Sequence, residues 1–153
     1  MDEMDREIVL WLQEDGRMPY TRIAAELGVS EGTIRQRVKR MVDEGTLQIV
    51  AVVEPHYLGW GAVSLIGVTV QAGRVDGVAQ EITALPEVNY LFMASGEFDL
   101  FVEAYCRDQE HFVEFLSQKL QQIPGVTHTK TFMIMRTYKP THRWGKVEPP
   151  APA

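Results

Sequence analysis

Two similar stretches, LPEV at residues 85–88 and IPGV at residues 123–126, each end a helical pattern and begin a run of strand-forming residues. In both cases a strand pattern comes before the helical pattern, so that the chain contains two β-α-β halves. Strands are predicted at residues 63–71, 88–94, 100–106 and 126–138, with helices around residues 75–82 and 112–120. Two such halves in succession are what a ferredoxin-like βαββαβ sandwich requires.

The first 45 residues have a different pattern, that of three short helices joined by tight turns. Ile8, Trp11 and Leu12 share one face of a helix predicted over residues 5–14. Pro19 suits the first turn of a second helix, because the N–H group that proline lacks would be unsatisfied there. Three short helices in this arrangement indicate a helix-turn-helix unit.

The third helix is predicted from Ser30, which suits the N-cap, to a stop at Gly45, where positive φ is common. Residues 47–53 are rich in β-branched side chains and are predicted to be extended. The helix-turn-helix unit is predicted to be of the winged type. The chain is therefore predicted to be an α+β protein. Its predicted parts are a helix-turn-helix domain with linker over residues 1–60, a sandwich domain over residues 61–141 and a flexible, proline-rich tail over residues 142–153.

Composition limits the classes of protein to which the chain can belong. With 153 residues, of which 45% are hydrophobic and 24% charged, it has the composition of a soluble globular protein. No run approaches the roughly 18 apolar residues of a membrane helix, so no membrane partner is predicted. The single Cys106 excludes an internal disulfide, which makes a reducing cytoplasm the expected compartment.

No catalytic or metal-binding constellation is predicted. His56, His111, His128 and His142 lack the spacing of metal ligands, and surface or loop positions are expected for them. No combination of serine, histidine and acid has the context of a nucleophile. Cys106 ends a hydrophobic strand and is expected to be a small core residue. The chain is therefore predicted to have no cofactor and no enzymatic activity.

Both faces of the predicted sheet are largely apolar. Over residues 100–106 the only charged side chain is that of Glu103, and residues 132–135 are apolar throughout. Two helices can cover only one face, and a large apolar face left in water calls for a partner. The simplest partner is a second copy, so a homodimer is predicted. Glu103 is expected at the rim or in a pair, because an unpaired buried carboxylate is costly.

The chain has a formal net charge of −6, yet four bases fall within six positions of the third helix. On a helical wheel Ile34, Val38 and Met41 face the core, and Arg37 lies at the core boundary, where a structural ion pair is expected. A charged helix face is usually only a solvated surface. Here the helix follows a short helix and a glycine-containing turn, as a recognition helix does, which favours double-stranded DNA as the partner. The residues predicted to read bases are Thr33, Arg35 and Gln36, and those predicted to bind phosphates are Lys39 and Arg40.

The chain resembles the Lrp/AsnC, or feast/famine, transcriptional regulators in MDREIVLWLQEDGRMPYTRIAAELGVSEGTIRQRVKRMVDEG, in SGEFDLFVEAYC and in MRTYKP. Within the second stretch, residues 96–99 match the family's G-x-x-D signature. The resemblance implies DNA binding through the helix that starts near Ser30, which adds Ser30 to the predicted DNA-binding residues. It also implies dimers that assemble further, often to octamers, and amino acids as effectors.

The turn around Gly96 is the predicted effector site. Gly96 lies between two strands, where a hairpin needs positive φ or a close backbone approach. Free N–H groups there suit an effector carboxylate, and the side chain of Asp99 suits its ammonium group. From the residues alone, an ordinary turn capped by Asp99 is the favoured interpretation, and the family resemblance makes the two interpretations equally open. The predicted effector-binding residues are Ser95, Gly96, Glu97, Phe98 and Asp99, joined, by position in the family, by Phe115, Leu116, Met135 and Arg136.

Two alternative functions remain open. Sirohaem decarboxylases share this two-part architecture, and such an enzyme would use histidines and arginines of the sandwich. A pocket of tetrapyrrole size around His111 or His128 would favour that alternative. An architectural protein without an effector would instead coat random DNA rather than bind one operator.

Overall fold

The computed structural model describes residues 1–139, which form two compact units, Met1–Val52 and Val53–Tyr138. The predicted domain boundary after residue 60 falls eight residues beyond the point at which these units separate. The predicted tail over residues 142–153 lies outside the described residues.

The first unit contains three α-helices, α1 Glu3–Glu14, α2 Tyr20–Leu27 and α3 Glu31–Asp43. α1 starts with a capping box, in which the Asp2 side chain accepts the Asp5 N–H at 2.9 Å and the Asp5 side chain accepts the Asp2 N–H at 3.0 Å. Apolar residues at helical spacing join the three helices in one core. Its most deeply buried members are Ile8, Ile23, Ile34 and Met41.

The ends of α2 and α3 lie where the sequence predicts them. Gly28 ends α2 and Gly45 follows α3, both with positive φ. The Ser30 hydroxyl accepts the Thr33 N–H at 3.1 Å, which confirms the predicted N-cap. Residues 47–53 form no strand with any other described residue, because β-branched composition favours an extended chain but supplies no segment to pair with.

The second unit begins with a 3₁₀ turn, Pro55–Leu58, and has the element order β1 Ala62–Val70, α4 Val75–Thr83, β2 Val88–Met93, β3 Leu100–Cys106, α5 Gln109–Glu114 and β4 Val126–Met133. After α5 the chain continues through a π-helical segment, Phe115–Lys119, and a 3₁₀ turn, Leu120–Gln122. This order confirms the predicted βαββαβ succession. β4 ends five residues before the predicted limit, because its partner strand β1 starts at Ala62 and leaves later residues without a strand to pair with.

The four strands form one antiparallel sheet in the order β2-β3-β1-β4. In its register, Ile66 of β1 lies between Val102 of β3 and Thr131 of β4. α4 and α5 cover one face, where Val78 and Phe115 are fully buried against the strands. This arrangement is the predicted ferredoxin-like sandwich.

The open face is the side of the sheet that α4 and α5 leave uncovered. Its aromatic side chains include Tyr90, Phe92, Phe101 and Phe132. The rings of Phe92 and Phe101 stack with 5.4 Å between centroids, and Tyr90 lies 5.6 Å from Phe92. Phe92 and Phe132 remain 40% and 44% exposed. The sheet is therefore apolar on both faces, and the described residues bury only one of them.

Glu103 is the acidic residue of β3 and lies on the open face. Its Oε1 accepts the hydroxyl proton of Tyr105 at 2.9 Å, so the carboxylate is paired, as expected. Burial, and then the neighbouring Glu103, raises the pKa of Tyr105 to about 12. The phenol therefore stays protonated and keeps donating to Glu103 throughout the physiological pH range.

The buried carboxylate of Glu87 holds α5 and the π-helical segment that follows it against the start of β2. Glu87 is 4% exposed, accepts from Lys119 Nζ at 2.5 Å and lies 3.1 Å from His111 Nε2. The Arg107 N–H donates to His111 Nδ1 at 3.2 Å, which leaves Nε2 to donate to Glu87. Burial raises the pKa of Glu87, but the hydrogen bond from Lys119 and further hydrogen bonds outweigh it, and the pKa lies below its usual value.

Candidate functional site

α3 presents one face to the core and the opposite face to solvent. Ile34, Val38 and Met41 are buried, as the helical wheel predicts. The exposed members of the predicted DNA-binding set are Arg35, Gln36, Lys39 and Arg40, and Thr33 is half-buried. The structure thus brings these five side chains onto the solvent side of one helix.

Two hydroxyls lie together at the N-terminus of α3. The Ser30 Oγ that caps the helix also lies 2.9 Å from Thr33 Oγ1. The cap commits Ser30 to positioning the helix start. Thr33 Oγ1 keeps capacity for a second hydrogen bond, since a hydroxyl has one donor and two acceptor sites.

Two exposed cations of α3, Arg35 and Lys39, are paired with acids of the same helix. Arg35 forms an ion pair with Glu31, one turn earlier, and its guanidinium lies 5.6 Å from the ring centre of Tyr20. Lys39 Nζ lies 2.5 Å from Asp43 Oδ2, one turn later. Both pairs are largely exposed, so solvent screening keeps them weak and a stronger anion can replace the acid.

Arg37 and Arg40 converge on the acids at the start of α1. Arg37 Nη1 donates to Asp2 Oδ2 at 2.6 Å and to Asp5 Oδ1 at 2.8 Å, which confirms the structural ion pair expected of it. Arg40 Nη2 donates to Asp5 Oδ2 at 2.5 Å. The wheel predicts Arg40 only as a phosphate-binding cation, but a wheel contains no information on α1. Arg40 is 47% exposed in its side chain and offers its remaining donors to solvent.

An open cleft lies beside these pairs on the surface of α3. It is lined by Thr33, Gln36, Arg37 and Arg40. Two guanidinium groups, a hydroxyl and an amide give it donors for an anionic oxygen and for the polar edge of a base. Its chemistry is that of a surface for nucleic-acid phosphates and base edges.

Asp5 is the buried centre of this charged cluster, since its residue surface is only 1% exposed. Burial raises the pKa of Asp5, but the hydrogen bond from the Asp2 N–H and those from Arg37 outweigh it, and the pKa lies below its ordinary value. The hydrogen bond from Arg37 likewise lowers the pKa of Asp2. The charged carboxylate of Asp5 therefore ties α1 to α3.

We expect acid to weaken the first unit through Asp5. A carboxylate with a lowered folded-state pKa stabilises the fold above its unfolded pKa, ordinarily 3.8, and this contribution is lost as the pH falls through the lower folded value. Asp5→Asn should lower the melting temperature at pH 7 and flatten its decline as the pH falls below about 4. Thermal unfolding followed by circular dichroism measures both, with Glu7→Gln as a control on the same helix. A wild-type pH profile in Asp5→Asn would contradict this role.

The predicted effector turn joins β2 to β3. Gly96 has a φ of 145°, a conformation that favours glycine, as expected from its position. The N–H groups of residues 95–98 donate to no acceptor among the described residues. Ser95 and Glu97 are exposed, and Glu97 lies 3.5 Å from the ammonium of Lys130. The turn thus offers free N–H groups beside a cation, which suits a carboxylate.

Phe98 points away from solvent and covers the backbone of β1. Its ring lies so close to Gly67 that a Cβ there would be 2.5 Å from a ring carbon. Phe98 is 6% exposed, meets Phe101 edge-on at 5.7 Å and has Lys130 Nζ at 5.8 Å from its ring centre. Phe98 therefore anchors the turn on the open face.

Asp99 is tied to the end of β1. Its Oδ2 accepts the Val70 N–H at 2.7 Å, and its own N–H donates to the Val68 carbonyl at 3.0 Å. Asp99 thus caps the backbone of a neighbouring strand rather than that of its own turn. The second carboxylate oxygen has no hydrogen bond to a described residue and is available to an ammonium group.

The four remaining predicted effector residues do not lie in one place within a protomer. Phe115 is fully buried in the core and has no surface for a ligand, and Leu116 packs against the same core. Met135 and Arg136 follow β4, whose last residues pair with the start of β1 near Val63. The Gly96 turn lies at the other end of β1, about 23 Å away at 3.3 Å per residue. A cleft shared by the turn and Met135 would require a second subunit.

The structure adds Lys130, which the sequence did not single out. Lys130 and the previously named His128, both of β4, lie opposite Gly67 and Thr69, at the end of the sheet that carries the Gly96 turn. An open polar cleft at this end is lined by Gln121, Val126, Thr127, His128 and Thr129. Lys130 lies two residues before Phe132 in β4, so the two share a face, and this spacing is a signal that could have placed Lys130 on the open face.

The remaining candidates have structural partners or surface positions. His111 is bonded to Glu87, and His128 lines the open polar cleft. Burial raises the pKa of the Cys106 thiol to about 11, which makes it unreactive, in agreement with a core position. Among residues 1–139, no helix is both long and apolar enough to cross a membrane.

Two family models match the sequence. The model of the AsnC-type helix-turn-helix domain matches residues 1–42, and that of the Lrp/AsnC ligand binding domain matches residues 63–144. The first match contains α1, α2 and most of α3. The second contains the Gly96 turn and all four strands except Ala62, the first residue of β1.

Similar proteins extend over nearly the whole chain. An uncharacterized HTH-type transcriptional regulator of Pyrococcus furiosus is 37% identical over 146 residues, which are 95% of this chain and 96% of that protein. HTH-type transcriptional regulator FL11 of Pyrococcus horikoshii is 31% identical over 142 residues, 92% of this chain and 93% of that protein.

Solved structures of similar fold include AsnC of E. coli, with 27% identity and a TM-score of 0.77 over 94% of this chain and 97% of that chain. A transcriptional regulator of Neisseria meningitidis, solved in complex with L-Met, has 25% identity and a TM-score of 0.80. That match covers 95% of this chain and 96% of the other.

Proposed function

The chain belongs to the Lrp/AsnC family of transcriptional regulators, and we propose that it binds a specific DNA sequence through α3 and responds to an amino-acid effector. The observation that carries the proposal is the solvent face of α3. Four bases of an otherwise acidic chain lie on α3, beside a cleft that is lined by hydrogen-bond donors. We place this activity in the cytoplasm, where the DNA is.

α3 has suitable dimensions for the major groove. Its 13 residues span about 20 Å at 1.5 Å per residue, and the groove is wide enough to admit a helix. Arg35 and Gln36 lie in the first half of the helix, and their side chains pair well with guanine and adenine edges. Lys39 and Arg40 lie one turn further on, where they would neutralise phosphates.

We expect Arg35→Ala and Lys39→Ala to weaken DNA binding in different ways. Loss of Arg35 should cost about 1–3 kcal/mol at particular base pairs, because a base contact is lost. Loss of Lys39 should weaken binding to all sequences and reduce the salt slope by about one, because a phosphate contact is lost. Fluorescence anisotropy at several salt concentrations, with a duplex selected from a random DNA library, measures both effects.

Arg6→Ala is the matched control, since Arg6 is an exposed cation on α1, outside the α3 face. It should leave the affinity close to that of the wild type. Unchanged affinity in both the Arg35 and the Lys39 variant would refute the DNA assignment of α3. Equal affinity of the wild type for selected and random duplexes would favour the architectural alternative.

We propose that the effector binds at the turn of residues 95–99. The free N–H groups and Lys130 suit its carboxylate, and the free oxygen of Asp99 suits its ammonium. The complex of the N. meningitidis regulator with L-Met supports an amino acid as the class of ligand. Since Met135 and Arg136 lie at the far end of the sheet, any part they take would come from a neighbouring subunit.

Asp99→Asn should weaken effector binding by about 2–5 kcal/mol, the usual cost of breaking a buried charge pair. The asparagine oxygen can still accept the Val70 N–H, so the turn should be retained while the charge is lost. Calorimetry of both proteins with the amino acid that gives the largest thermal shift measures the loss. Glu81→Gln removes an exposed charge from α4, outside the turn, and serves as the control. Equal effector affinity in wild type and Asp99→Asn would leave Asp99 only its role at the end of β1.

We propose further that two chains pair through their open faces, and that such dimers assemble into a larger oligomer, such as an octamer. The support is the exposed aromatic surface of the sheet, since a large apolar patch on a soluble protein usually marks an interface. Glu103 and Lys130 already have partners within the protomer, so pairing would bury neither charge alone.

Phe132→Glu should shift the full chain toward smaller species, because it places a charge within the proposed interface. Val113→Glu is the matched control, since Val113 is similarly exposed but lies on α5, away from the open face. Sedimentation velocity at micromolar concentration measures both variants. A wild-type protein that sediments as a monomer, or equal effects of the two substitutions, would exclude the open face as the interface.

An enzymatic role is not proposed. The relatives are named transcriptional regulators, and His111, a candidate residue of the sirohaem alternative, is committed to Glu87. His128 lines a cleft that is open and polar rather than an enclosed apolar pocket.

A further inference from the structure

The cations of α3 are compensated by acids of their own unit. Arg35, Arg37, Lys39 and Arg40 each lie in an ion pair with an acid of residues 1–52. Over these residues the sequence has ten acids and seven bases, so the unit proposed to bind DNA has a net charge of −3. Any phosphate that approaches α3 must therefore compete with carboxylates that are already bound.

Asp43 differs from the other acids that pair with the cations of α3, because an acid at its position does not stabilise the helix. It is the last residue of α3, where the negative end of the helix dipole disfavours an acidic side chain. Glu31, by contrast, lies in the first turn, where the dipole favours it. The side chains of Asp43 and Lys39 are 60% and 73% exposed, and a pair so exposed contributes little to stability.

We propose that Asp43 is an intramolecular competitor of DNA phosphate for Lys39, and that it limits the sequence-independent DNA affinity of each helix-turn-helix unit. The inference rests on the proposed DNA-binding function of α3. Lys39 Nζ is held 2.5 Å from the Asp43 carboxylate in the free protein, and a phosphate must displace that carboxylate. The displaced Asp43 then lies beside the DNA backbone as an uncompensated negative charge.

The competition for Lys39 costs the same free energy on every DNA sequence, but it is a larger share of the total in binding to random DNA. Such binding depends almost entirely on cation–phosphate contacts, whereas specific binding also gains from base contacts by residues such as Arg35. A low affinity for each single unit makes stable binding depend on several units joined in one assembly. An effector that alters the assembly would then have a large effect on DNA binding.

The inference can be tested with the full chain and a duplex of random sequence, by fluorescence anisotropy at several salt concentrations. Asp43→Asn should tighten binding about 1.5- to 5-fold, the range that corresponds to an exposed ion pair. The salt slope should become steeper by up to about 0.9, because no freed carboxylate then takes up a cation. The melting temperature should stay the same or rise, since the acid at the helix end is removed.

Glu44→Gln is the matched control. Glu44 is the next residue, is exposed and forms no ion pair within the described part of the chain, so the substitution removes the same formal charge without releasing Lys39. It should change the affinity less than Asp43→Asn does. In a Lys39→Gln background, Asp43→Asn should lose its effect, because the cation for which the two anions compete is absent.

The outcomes separate this inference from the proposed function. Equal gains from Asp43→Asn and Glu44→Gln, or a gain that persists in the Lys39→Gln background, would overturn the competition and leave DNA binding intact. If Lys39→Gln weakens binding while Asp43→Asn leaves it unchanged, the inference is likewise wrong and the function stands. If Lys39→Gln has no effect on binding, Lys39 does not contact DNA, and both the inference and the assignment of Lys39 fail.

Discussion

The burial of the four-stranded sheet depends on apolar contacts with α4 and α5, which reach only one of its faces. On the other face the aromatic side chains pack against one another, and Phe98 lies flat over Gly67, where the lack of a side chain makes room for it. The contact of Phe98 with Gly67 fixes the turn of residues 95–99 to the sheet. The proposed effector site and the proposed interface therefore share one surface, and a ligand at the turn lies where a second chain would pack.

In the first unit, the carboxylate of Asp5 has a comparable organising role. It caps α1 together with Asp2 and holds Arg37 and Arg40 of α3. The same contacts that orient α3 on α1 thus also orient the arginines beside the cleft. Fixed guanidinium groups lose less conformational entropy on binding an anion than free ones, so the fold of this unit prepares its surface for phosphates.

Much of the fold could be predicted because buried apolar residues recur in the sequence with the period of a strand or a helix. β3 was found residue for residue, since buried and half-buried side chains alternate along all of it. The helix ends followed from Ser30, Gly28 and Gly45. What the sequence could not provide was pairing between distant residues. Arg40 bonds an acid 35 positions earlier, and only the register of β4 shows that Met135 lies far from the Gly96 turn. Residues 47–53 were predicted only to be extended, and composition alone could not show that they have no strand partner.

Both outer strands of the sheet contain one extra residue. The pairing of β4 with β1 shifts at Thr127, and that of β2 with β3 shifts at Asn89. Such bulges bend and twist an edge strand, so that its outer row of N–H and C=O groups no longer forms a straight template for another chain. Further strands are therefore discouraged from adding at either edge. The proposed pairing through the open face would therefore close at two chains and would not extend into a ribbon.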